Sequence, residues 1–240
     1  MSTRSSHSVV PTTLASIWFL IVLGGCDRGA DSYFPLDEGW TWVYSLNVTT
    51  MDGSHKKKYI IENLGSSTFE GQKLAARRSA DGSIHYYREE HGGLVRVGQH
   101  TPEIGTEIYS TPRVVLPRPL TATAVWSDIE YTVALEHTGP PEHSLNKISV
   151  PVEIHYTVED LDDEVAVPAG RFSRCLRIRG TGFTSQNVGF YVGHTDIRVE
   201  TTEWYAPNVG LVKAVRKETT TSSVLPGGHY QMELESLSRK

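Results

Sequence analysis

Two cysteines in 240 residues, Cys26 and Cys175, are too few to staple a disulfide-built scaffold. Long hydrophobic runs are missing too. The longest, from Leu14 to Leu23, covers about half of the ~20 residues that a spanning helix needs. Positive charge is in short supply: 23 Lys and Arg against 28 Asp and Glu give a net charge of −5. That balance argues against holding nucleic acid or anionic lipid by charge alone. Helix formers are scarce, since 18 leucines and 12 alanines are outnumbered by 23 valines and 23 threonines. Valine and threonine favour pleated strands over helices. With 21 glycines and 12 prolines, the chain is neither collagen-like nor broadly disordered.

Catalytic signatures are absent as well. The sequence has no Gly-x-Ser-x-Gly elbow, phosphate loop, dinucleotide fingerprint, His-Glu-x-x-His or Cys-x-x-Cys. The ten histidines are scattered, mostly near turns and strand ends, so no metal and no cofactor is expected. The acidic run Glu159–Glu164 lacks the sixth-position glycine of an EF-hand loop and reads as a solvated turn. Lys56–Lys58 reads as a strand edge defended by charge. Cys175 lies between Arg174 and Arg177 but reads as a small buried strand residue rather than a reactive thiol.

What is present begins at the N-terminus. Arg4 and the α-amino group precede the apolar run, which has the length of a signal-peptide core. It ends in Leu23-Gly24-Gly25-Cys26, which resembles the bacterial lipobox. The resemblance implies cleavage before Cys26 and acylation there, giving a leader over 1–25, a lipidated cysteine and tether over 26–32, and a single domain over 33–240. Two or three acyl chains, at about 0.8 kcal/mol per buried methylene, anchor a protein essentially permanently. A fully extended tether of Asp27–Ser32 reaches only about 20 Å, so the membrane is the expected partner and lies close. The implied address is the bacterial envelope, facing the periplasm. Asp27 resembles an inner-membrane retention signal, and the choice of membrane stays open.

Beyond residue 32, alternation and turn signals repeat. Trp40, Trp42, Tyr44 and Leu46 share one strand face. Asp52-Gly53 and Asp81-Gly82 mark hairpins, and Thr101–Pro119 reads as Pro-rich and irregular around a short apolar piece. Trp126–His137, Val150–Val158, Phe172–Gly182, Val188–Tyr205, Gly210–Ser223 and Tyr230–Leu237 read as later strands. Ten to twelve strands joined by short turns predict an all-β antiparallel meander forming a curled half-barrel, barrel or sandwich.

Three segments resemble a family of uncharacterised bacterial lipoproteins and exported proteins, DUF3108-like β-domains. They are Pro35-Leu36-Asp37-Glu38-Gly39-Trp40-Thr41-Trp42-Val43-Tyr44, Val165-Ala166-Val167-Pro168-Ala169-Gly170-Arg171-Phe172, and Trp204-Tyr205-Ala206-Pro207-Asn208-Val209-Gly210-Leu211-Val212-Lys213. The resemblance implies a β-rich exported domain, similar to the half-barrels of the LolA and LolB lipoprotein carriers, and no catalytic residues. The motifs also read as turn chemistry. Pro168 fixes φ, Gly170 permits positive φ, and Asn208 tolerates the left-handed region.

The aromatics carry the functional expectation. Trp40, Trp42 and Tyr44, with Trp126 and Trp204, are the candidate lining of a cavity for an apolar ligand. A closed core would use the same residues. The leading reading is non-enzymatic binding of an apolar ligand or lipoprotein. The alternatives are a protein-interaction module of an envelope assembly and an envelope hydrolase. The last needs carboxylates or His–carboxylate pairs converging in a cleft.

Overall fold

The computed structural model describes residues 1, 32–69, 71–139, 144–190 and 192–240, without the side chains of 137–139 and 144–146. Cys26, Asp27 and residues 2–25 of the expected leader lie outside the described residues. Among those described, fourteen strands and no helix occur. They are β1 Trp40–Thr50, β2 Gly53–Phe69, β3 Gln72–Ser79, β4 Ile84–Glu90, β5 Gly93–Thr101, β6 Gly105–Pro117, β7 Val125–Tyr131, β8 Glu136–Gly139, β9 Ser144–Lys147, β10 Pro151–Val167, β11 Gly170–Asn187, β12 His194–Ala206, β13 Gly210–Thr220 and β14 Gly228–Arg239.

Twelve of them form one antiparallel sheet in the order β6-β5-β4-β3-β2-β1-β14-β13-β12-β11-β10-β7. This is the expected meander, curled into a nearly closed barrel. The pairing of β1 with β14 places the two ends of the chain's β-domain side by side at the sheet's middle. β8 and β9 form a separate hairpin. The sheet's two edge strands, β6 and β7, meet at a seam bridged by side chains. Arg113 Nη1 donates to the Ile129 carbonyl at 3.2 Å, and Arg96 Nη2 approaches Asp128 Oδ2 at 3.3 Å.

Alternation assigns the faces. Along β1, Trp42 and Tyr44 are each only 2% exposed. Across the sheet their face is continued by Ile154 and Val158 of β10, Leu176 and Ile178 of β11, Ile197 and Val199 of β12, and Leu234 of β14, all buried. Each such apolar side chain contributes roughly 1.5–3 kcal/mol by leaving water, so this face holds the barrel together.

Four expectations need correction. Thr101–Pro119 is not irregular: β6 runs through most of it. Pro112 is tolerated because β6 is an edge strand, and the ladder with β5 skips from Arg96↔Arg113 to Gly98↔Ile108 around it. Val188–Tyr205 is not one strand, because Gly189 and Gly193 adopt positive φ and turn the chain between β11 and β12. Trp126–His137 is likewise broken after Tyr131. The acidic run Glu159–Glu164 is not a turn. It lies within β10, where three register shifts bend the β10–β11 hairpin, and Arg177 Nη1 reaches Asp163 Oδ2 at 2.8 Å. The true turn is the Val-Pro-Ala-Gly element, with Gly170 at φ +138°, and Ala169 N–H there donates to the Leu234 carbonyl at 2.9 Å. Lys56–Lys58 pairs with β1 alone, because the β2–β3 ladder reaches back only to Ile61, so these lysines do sit on an open edge.

Candidate ligand cavity

The inner face of β1 changes character along its length. At Trp42 and Tyr44 it is closed core. Trp42 Nε1 donates to the Val209 carbonyl at 2.7 Å, and the Tyr44 hydroxyl donates to the Leu211 carbonyl at 2.8 Å. Both carbonyls belong to the chain around the Ala206-Pro207-Asn208 turn, where Asn208 holds φ +59°. The third sequence motif thus supplies the acceptors that fix the aromatic pair of the first. Burial pushes the Tyr44 hydroxyl far up, keeping it a donor.

Two residues further along, the same face opens. Leu46 and Val48 of β1, Tyr59 of β2, Tyr230 and Met232 of β14, and Val133 line a mainly apolar cavity of about 420 Å³. Register explains the grouping: Leu46 pairs with Met232 and Val48 with Tyr230. Lys57, Lys147 and Glu136 complete the wall. The volume lies in the range that small organic ligands occupy.

The other candidates are distributed. Trp40 stacks on Trp42 with centroids 5.8 Å apart and lines an outer groove of about 670 Å³ together with Pro35, Leu36 and Arg239. Trp126 stacks on Tyr156 at 5.3 Å and lines an inner cavity of about 190 Å³. Trp204 pairs in register with Arg177 and Lys213, on the strand face opposite to Glu203 and Tyr205. Its Nε1 donates to Asp163 Oδ2 at 2.9 Å. Trp40 and Trp42 are therefore stacked together, Trp204 packs at the margin of the same hydrophobic cluster from the opposite strand face, and Trp126 belongs to a different one.

The barrel interior also holds a polar belt that hydrophobic alternation conceals. Arg216, between Ala214 and Lys217 in a strand of mixed pattern, is 4% exposed. Its Nε donates to Glu218 Oε1 at 2.9 Å, its Nη2 to the Tyr131 carbonyl at 2.9 Å, and its Nη1 bonds Glu130. Burial alone would lower its pKa, but the Glu130 and Glu218 carboxylates raise it. Glu218 also accepts from Val133 N–H at 3.0 Å and Ala134 N–H at 2.9 Å, tying down the chain after β7.

Around the smaller inner cavity, Asp128, Glu130 and Glu203 converge with Tyr156 and Tyr205. Tyr156 donates to Glu130, and Tyr205 donates to Glu203 Oε2 at 2.6 Å. Glu203 is pushed up to about 7, by burial first and the nearby Glu130 charge second. Asp128 is also raised by burial, opposed by Arg96 and Arg113. This cluster escaped the sequence reading. Its one signal was charge at inward positions of β7, β12 and β13, which cannot be separated from outward charge until the register is known. Cys175 is fully buried and pushed up to about 11 by burial, which makes it inert as a thiolate. Among the described residues, no three His, Cys, Asp or Glu side chains are placed so that they could hold a metal ion.

No family model matches the chain, so the resemblance noted above rests on its three motifs. No curated protein matches closely. Two solved structures are similar. One is a protein from Bacteroides fragilis described as exported and of YMCC-like fold, at 16% identity, covering 87% of this chain and 100% of that one, with a TM-score of 0.42. The other is described as a lipoprotein from Parabacteroides distasonis, at 15% identity, 87% and 99% coverage and a TM-score of 0.38. Neither likeness is close enough to carry a role across.

Proposed function

We propose that this protein is an envelope lipoprotein, anchored through Cys26, whose barrel binds an apolar ligand without transforming it. The observation that carries the binding role is the cavity of about 420 Å³ lined by Leu46, Val48, Tyr59, Tyr230 and Met232. An interior wall that is closed core at Trp42 and apolar cavity at Leu46 is suited to hold an acyl chain. The lipobox supports the anchor, and the short tether would hold the cavity near the source of such chains.

Two experiments test this reading. Radiolabelled palmitate should enter the full chain in a bacterial host, and Cys26→Ser should abolish labelling and release the protein from membranes. Labelling of the Cys26→Ser chain would refute the anchor. For the cavity, Met232→Trp should fill the space and reduce binding of 1-octanol at least ten-fold without lowering the melting temperature by more than a few degrees. Unchanged octanol binding would refute the cavity. The hydrolase reading has one observation in its favour, the cluster of Asp128, Glu130 and Glu203 with one carboxyl pushed up to about 7. Against it, each carboxylate already has a partner: Arg96, Arg216 and the Tyr205 hydroxyl respectively. Hydrolysis of ester or glycoside substrates that is lost in Glu203→Gln would favour it.

A further inference from the structure

A further small space is lined by the Trp42–Tyr44 core itself, and its chemistry differs. It measures about 130 Å³ and is walled by Trp42, Tyr44, Tyr87 and Tyr205, with Arg77 and His85 among its lining. Arg77 enters it from β3, paired in register with His85 of β4. The guanidinium lies 3.8 Å from the Phe34 ring centroid and 4.8 Å from that of Trp42. Its Nε donates to Asn63 Oδ1 at 2.8 Å and its Nη2 to the Pro35 carbonyl at 2.6 Å. Both acceptors are neutral.

No carboxylate among the described residues pairs with Arg77. Of the interior carboxylates, Asp128 pairs with Arg96, Glu130 and Glu218 with Arg216, Glu203 with the Tyr205 hydroxyl, and Glu136 lies against Lys147. Beside Arg77, His85 Nδ1 is buried and has no partner. Burial, with the charges of Arg96 and Arg77, pushes His85 down to about 4, so the ring is neutral and adds a polar atom but no second charge. One fixed positive charge, one orphan imidazole nitrogen and the Tyr87 hydroxyl, in a small space whose other phenols Tyr44 and Tyr205 already donate elsewhere, make a receptor for a single negative charge. A guanidinium with two of its nitrogens already anchored is held in place for that task.

We propose that this pocket binds a carboxylate group, paired with Arg77 and hydrogen-bonded by the Tyr87 hydroxyl. The group can belong to a small free acid, which 130 Å³ accommodates, or to the head of a longer chain. The adjoining inner cavity of about 190 Å³ shares Phe34, Tyr87 and Tyr205 with the pocket and offers a path for a tail. A dianionic phosphate is disfavoured, because among the described residues Arg77 is the one cation lining the space.

The test uses the full chain recovered from bacterial membranes and held in phosphatidylcholine nanodiscs. The probes are [1-13C]acetate, [1-13C]octanoate and uncharged 1-octanol, followed by NMR titration. Octanoate should bind, and Arg77→Gln should weaken it by about 10- to 100-fold, the range for a charge-assisted hydrogen-bonded pair. Octanol binding should not change in that variant. Tyr87→Phe, a smaller perturbation, should weaken the carboxylates by about three- to ten-fold, and it serves if Arg77→Gln melts early. Acetate as tight as octanoate assigns the pocket to a small free acid; octanoate at least ten-fold tighter assigns it to an acyl head group. Absence of binding by both carboxylates, or affinities unchanged in both variants, overturns the proposal. Loss of octanol binding alone would strike the apolar cavity and leave this pocket standing.

Discussion

Replacing Glu203 by Gln should stabilise the protein at pH 8 and do little at pH 4.5. Glu203 moves from an ordinary 4.5 to about 7 in the folded chain, through burial and the adjacent Glu130 charge. A carboxyl with a raised pKa holds its proton more tightly folded than unfolded. Stability therefore falls as pH rises through the window from about 4.5 to about 7, and the loss is complete above it. At about 1.4 kcal/mol per unit, a shift of about 2.5 units bounds the loss near 3.4 kcal/mol. The side chain retains partial access to water, so about 2 kcal/mol is the expected size. Glutamine keeps an acceptor for the Tyr205 hydroxyl, which now bonds Glu203 Oε2 at 2.6 Å, and it removes the charge. In a barrel of this length, about 2 kcal/mol moves the melting temperature by roughly 4–8 °C. Thermal melts of the wild type and Glu203→Gln at pH 4.5 and pH 8 read the difference directly. His85, pushed down to about 4, acts in the opposite sense between about 4 and 6.5, but it is common to both chains and cancels. A variant less stable than wild type at pH 8, or equally shifted at both pH values, would refute the reasoning.

Other perturbations follow from packing. Gly180→Ala should destabilise by about 1–3 kcal/mol in a chemical denaturation curve, because a Cβ there would meet Thr201 Cγ2 at 2.6 Å and Ile154 Cγ2 at 2.8 Å. Leu234→Ala should cost about 2–5 kcal/mol by the same assay, since the side chain is wholly buried against the Trp42–Tyr44 core. Cys175 should stay silent to a thiol reagent in the native chain at pH 8 and react at once in guanidinium chloride; prompt native labelling would contradict its burial.

The fold class was legible because alternation is a local property. Trp40, Trp42, Tyr44 and Leu46 announce a half-buried strand whatever they pack against, and Gly170 and Asn208 announce their turns. Edge status is not local: Pro112 argued against a strand until the sheet order placed β6 at its rim. The candidate lining was legible only as a set of rings. Sequence cannot tell that Trp42 finds the Val209 carbonyl and closes into core, or that Trp204 turns to Asp163 on the opposite face. Nor can it show that the same β1 face opens at Leu46 and Val48. The buried arginines were hidden for the same reason. Arg77 and Arg216 look like any surface cation until register puts one over Phe34 and the other between Glu130 and Glu218.

The most direct test of the binding role is native mass spectrometry of the full chain released from nanodiscs after purification from a bacterial host. The cavity behind Leu46 and Met232 predicts an apolar organic molecule retained at close to one per chain, and its loss in Met232→Trp. A chain that flies empty, with wild type and variant indistinguishable, would contradict the account and turn the search toward a protein partner.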